Sequence, residues 1–104
     1  MGEPDLARRF HRALLDAYET ARDEYNYLGT YALHMVNEME AVPAAKQLIN
    51  SPAPAEGFTR LWELGGLGLT VEAIALRPEF RQLFDPEELE RARNRLREYD
   101  YPIP

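Results

Sequence analysis

The sequence predicts an all-α fold: a compact orthogonal array of about five to seven helices, with two longer N-terminal helices, several short ones and a C-terminal helix. Three observations lead there. Apolar residues in the first third recur at spacings of three and four, the mark of one buried helical face. No stretch alternates apolar and polar residues with the period of two that a half-buried strand requires. Prolines and glycines divide the remainder into short pieces bounded by helix start and stop signals.

The first face is drawn by Leu6, Phe10, Leu14, Ala17, Ala21, Tyr25 and Leu28, with Asp5 placed to cap the start. It resumes at Tyr31 or Ala32, Met35 and Met39. Between the two runs, Gly29 costs about 1 kcal/mol relative to alanine inside a helix, so a tight turn between two antiparallel helices is expected there. Pro43 suits the first position of a short helix ending at Ile49, and the run from Asn50 to Gly57 reads as a loop. Phe58 to Leu64 forms a short helix closed by Gly65-Gly66, with Phe58, Leu61 and Trp62 expected to plug the core. Further short helical turns run from Thr70 to Leu76 and from Pro78 to Phe84, the second carrying Phe80 and Leu83 inward. The last helix has the sharpest signature: Asp85 as N-cap, Pro86 as the first helical residue and Glu88 as the third, which together make a capping box. Leu89, Ala92 and Leu96 form its inner stripe, and residues 100–104 read as an extended tail.

With 104 residues, 45% of them hydrophobic and 29% charged, the chain is expected to form one globular domain, 1–104. It has no cysteine, which removes disulfides, zinc thiolates and thiol nucleophiles and fits a cytoplasmic location. The N-terminus is acidic where a secretion signal would be basic, and no apolar run is long enough for a membrane span. A net charge of −6 opposes non-specific attraction to nucleic acid and to anionic membranes.

Candidate functional groups fall into three sets. Tyr27 and Tyr31 share a face beside the Gly29 break, and Tyr99 and Tyr101 flank the tail; amphipathic rings in such places suit a protein-binding surface. Arg91, Arg93, Arg95 and Arg97 line the last helix and, with Arg8, Arg9 and Arg12 on the first, offer an alternative nucleic-acid interface. The competing reading pairs the last-helix arginines locally, Glu87 with Arg91 and Glu90 with Arg93 or Asn94. His34 and Glu38 stand one helical turn apart, a weaker alternative as two ligands of a metal-dependent enzyme, with a third ligand needed from elsewhere. No nucleophile motif or phosphate-binding loop occurs: Leu64-Gly65-Gly66-Leu67-Gly68-Leu69 is glycine-rich but has no following Lys-Ser/Thr. Two histidines and no cysteine are a poor ligand supply, so the expectation is no catalytic residue, no metal and no other cofactor.

The run Gly57-Phe58-Thr59-Arg60-Leu61-Trp62-Glu63-Leu64-Gly65, followed by Leu67 and Leu69-Thr70-Val71-Glu72-Ala73, resembles a group of short bacterial all-helical proteins of uncharacterised function. Leu83-Phe84, Glu88-Leu89, Ala92-Arg93 and Arg95-Leu96 extend the likeness, which covers most of the chain. That group has Arg and Asp where this sequence has Gly66 and Gly68. The resemblance implies a bacterial domain and brings no activity with it. The leading expectation is a non-catalytic protein-interaction or regulatory domain of the bacterial cytoplasm, whose partner is another protein, a second copy of itself included.

Overall fold

Six α-helices occur among the described residues: α1 (Glu3–Tyr25), α2 (Thr30–Met39), α3 (Ala41–Asn50), α4 (Glu56–Leu64), α5 (Val71–Ala75) and α6 (Pro86–Glu98). Short 3₁₀ turns at Leu67–Leu69 and Arg81–Leu83 lead into α5 and α6. This computed structural model describes residues 3–103, and the side chains of residues 5–103 other than Tyr31. No strand occurs among the described residues, and no helix there is long and apolar enough to cross a membrane. The Cα radius of gyration is 12.6 Å, close to the roughly 13 Å of a compact chain this long.

α3 is the hub, packed against α1, α2, α5 and α6. Its inner residues Ala41, Ala44, Ala45, Leu48 and Ile49 are buried, and the alanines let the neighbouring helices approach closely. Leu6, Phe10, Leu14 and Ala17 deliver the predicted face of α1 into the same core. Phe10 lies at its centre, edge-on to Phe80 at 5.2 Å and to Phe84 at 5.4 Å. A second cluster gathers Phe58, Leu67, Leu76, Ala92 and Leu96, with Tyr99, Tyr101 and Ile103 of the tail packed over it.

Several helix ends follow the sequence closely. Gly65 adopts φ 84°, and its N–H and that of Gly66 donate to Trp62 O and Leu61 O, a Schellman closure of α4. At α6, the Asp85 N–H donates to Glu88 Oε1 at 2.9 Å, and Pro86 opens the helix. Elsewhere the details differ. α1 begins at Glu3, so Asp5 lies inside its first turn and does not cap it. Leu28 has left the apolar face and is 65% exposed, because Asn26 turns left-handed (φ 55°) and ends α1 first. α2 is only as long as α3, and α1 packs chiefly on α3, so the expected long antiparallel pair is not the core of the fold. Pro43 is the third residue of α3; it still sits in the first turn, where its missing N–H forfeits no helical bond.

The break between α2 and α3 is Glu40, at φ 72° and ψ 163°, a region natural to glycine and costing other residues about 1–3 kcal/mol. Its N–H still donates to Val36 O and its C=O accepts from the Ala44 N–H, and both bonds would survive in glycine. Glu40→Gly is therefore expected to raise stability by about 1 kcal/mol, some 4–8 °C in melting temperature. A lowered melting temperature would show that this junction is not strained.

Candidate functional site

A cleft of about 820 Å³ opens where three helices begin. The α1–α2 loop contributes Tyr27, Leu28 and Gly29, the start of α4 contributes Glu56 and Gly57, and the start of α5 contributes Thr70 and Glu72. Glycine matters at two of these positions, at Gly29 for the turn and at Gly57 for the room that the Tyr27 ring takes. Gly29 is left-handed (φ 56°), and a Cβ on Gly57 would stand 2.7 Å from Tyr27 Oη. The Tyr27 ring therefore reaches from the α1–α2 loop to the first turn of α4. Burial, with the nearby Glu56 charge, pushes its phenol above the ordinary range.

Deeper in the wall, Tyr18 Oη is buried without a hydrogen-bond partner in the protein. Burial, then the proximity of Tyr27 and Glu72, pushes this phenol up to about 12, so it stays protonated. Thr70 is spent on the backbone: its hydroxyl donates to Leu67 O at 2.7 Å and accepts from the Ala73 N–H at 3.2 Å. Glu72 is held by Arg95 at 3.0 Å, with their side chains 4% and 10% exposed. Burial raises the Glu72 carboxyl above its usual range, while the Arg95 hydrogen bond pulls the other way.

Arg95 also donates to Leu48 O at 3.1 Å and Ser51 O at 2.6 Å, two carbonyls at the end of α3, the first of which also accepts from the Ser51 N–H at 3.4 Å. Its guanidinium is thus committed inside the protein and is not presented to phosphates. Arg91, on the same face of α6, donates to Asn50 Oδ1, so the expected Glu87–Arg91 pair is replaced by a bond across to α3. Arg93 and Arg97 both pair with Glu90, at 3.4 and 3.6 Å. Lys46, the only lysine, pairs with the buried Glu88 at 2.8 Å. Burial pushes Glu88 up, but Lys46, the Asp85 N–H and Asn50 outweigh it and leave the carboxyl below its usual range.

The aromatic residues separate into two surfaces. Tyr27 belongs to the cleft; the side chain of its predicted companion Tyr31 lies outside the described residues. Tyr99 sits on the other side of α4, edge-on to Phe58 at 5.0 Å and to Trp62 at 5.1 Å. Trp62 is the main correction to the sequence reading: it is 46% exposed and not a core plug. Phe58 and Leu61 fill the inward arc of α4, and the one position left to Trp62 is the flank that Tyr99 shields on one side only. Tyr101 Oη lies against Gly68, and the Tyr25 ring against Gly66, each 3.1 Å from where a Cβ would stand. Those tyrosines account for small residues at both positions.

His34 and Glu38 do share a face, with Nε2 to Oε1 at 3.1 Å, and both are well exposed. No group of three His, Cys, Asp or Glu able to hold a metal gathers among the described residues. The Glu72–Arg95 pair was not anticipated, although one signal was present: Glu72 is the only charged residue between Leu64 and Leu76. An acid isolated in so apolar a run is buried more readily than one on a charged face. No family model, curated protein or solved structure matches this chain.

Proposed function

We propose that this chain is a non-catalytic interaction module of the bacterial cytoplasm, docking a protein partner, a second copy of itself included, along α4. The observation that carries this reading is the aromatic outcrop of Trp62 held edge-on by Tyr99. Tryptophan and tyrosine are the side chains over-represented among interface residues that dominate binding energy. A ring already packed on one side also loses little freedom on binding. On the other flank of α4, the cleft carries Leu28, which is even more exposed, on its lip. A partner lying astride the helix would cover both. Two polar groups of the cleft wall are already engaged within the protein, Thr70 with backbone and Glu72 with Arg95 behind the wall.

Capture from a bacterial lysate with wild-type protein and with Trp62→Ala, alongside sedimentation of the purified chain over a range of concentrations, tests this reading. Removing the anchor is expected to weaken the association about 30-fold or more, with Trp62→Phe keeping part of it. Equal association by wild-type and Trp62→Ala protein would remove Trp62 from the interface and the reading with it.

A further inference from the structure

The arginines of α1 find no role at the α4 surface. Among the described residues, Arg8, Arg9 and Arg77 alone of the twelve Lys and Arg make no hydrogen bond or ion pair within the protein. Two of these three, Arg9 and Arg77, line one pocket of about 380 Å³. The fold brings them together through the core: Phe10, next to Arg9, packs on Phe80, and Phe80 is tied back to Arg77 by an N–H to O bond of 2.9 Å. Leu69 and Ala13, both partly buried, supply apolar wall, and Arg12 stands on the rim in an exposed pair with Asp16 at 3.4 Å. Glu79 also lines the rim and opposes an anion, but three guanidiniums against two carboxylates leave the pocket positive on a chain of net charge −6.

We propose that this pocket binds a phosphate monoester with an apolar body: Arg9 and Arg77 hold the dianion, and the body lies against Leu69 and Ala13. The planar fork of arginine matches phosphate oxygens in pairs, and two uncommitted forks match the charge of a monoester. The site stands on α1 and the segment after α5, so it is independent of the Trp62 surface.

The test is titration of the full chain with phenyl phosphate, inorganic phosphate and phenol, followed by heteronuclear NMR and calorimetry. Phenyl phosphate is expected to bind saturably, more tightly than either fragment, and to shift the resonances of Arg9, Arg77 and Leu69. Arg9→Gln and Arg77→Gln should each weaken it on the order of tenfold or more, while Arg8→Gln, outside the pocket, leaves it nearly unchanged. All three positions are exposed, and each variant's melting curve checks that the fold is kept. The proposal is overturned if phenyl phosphate shows no saturable binding. An equal effect of Arg8→Gln, or equal affinity for inorganic phosphate, overturns it by making the attraction diffuse. Duplex DNA binding tighter than phenyl phosphate through the same arginines does so by making the ligand a nucleic acid.

Discussion

Replacing Arg95 with alanine is expected to cost about 3–5 kcal/mol, a large share of the 5–15 kcal/mol that holds a domain together. The guanidinium donates to Glu72, Leu48 O and Ser51 O, so its removal strands a buried carboxylate, takes Ser51 O's bond and leaves Leu48 O only the long one from the Ser51 N–H. Glu72 is already pushed up by burial, and without Arg95 it rises further. An acid whose folded pKa exceeds its unfolded value destabilises the fold above that folded pKa, so the deficit of Arg95→Ala is largest near neutrality and shrinks as pH falls through it. Denaturant unfolding of the variant at several pH values checks both magnitude and slope. The double variant Arg95→Met with Glu72→Leu should recover much of the loss, because an apolar pair of similar volume carries no desolvation cost. A single variant as stable as wild type would mean that the pair is not buried as described.

Phe10→Ala is expected to lose a comparable amount, about 3–5 kcal/mol, while Trp62→Ala loses about 1 kcal/mol. Phe10 is fully enclosed, at 0% exposure, and its ring is shared with Phe80 and Phe84 from a distant part of the chain. Truncation leaves a cavity between α1 and the turns before α6 that the stiff alanine-lined surface of α3 cannot collapse to fill. Trp62 gives up one edge-on contact with Tyr99 and a half-wetted surface. Thermal melts of the two variants side by side settle the order, and a larger loss at Trp62 would return that residue to the core.

That contrast also marks where the sequence is legible. Periodicity reports which arc of a helix faces inward, and it placed Leu6, Phe10, Leu14 and Ala17 correctly because α1 is long enough to average over many residues. α4 is a helix of nine residues with an inward arc of little more than Phe58 and Leu61. At that length the edge of the arc depends on what packs beside it, here Tyr99 from beyond the next helix. Local chemistry was readable for the same reason that distant chemistry was not. Asp85, Pro86 and Glu88 encode the start of α6 within four residues, and Gly65 encodes the end of α4 within two. The bond from Arg95 to Glu72, the convergence of Arg9 with Arg77 and the burial of Tyr18 Oη arise from packing between elements far apart in the chain. Glu40 was hidden differently, because a non-glycine residue at positive φ leaves no compositional mark.

Trp62 is the only tryptophan, so acrylamide quenching of the chain's tryptophan emission reads the exposure of this one side chain. In the folded, unliganded protein the quenching constant should lie between that of a buried tryptophan and that of the chain unfolded in denaturant, since Trp62 is 46% exposed, and it should fall when a partner captured by the wild-type protein is added. Strong protection of the free folded chain, or quenching that the bound partner leaves unchanged, would contradict a docking surface at Trp62.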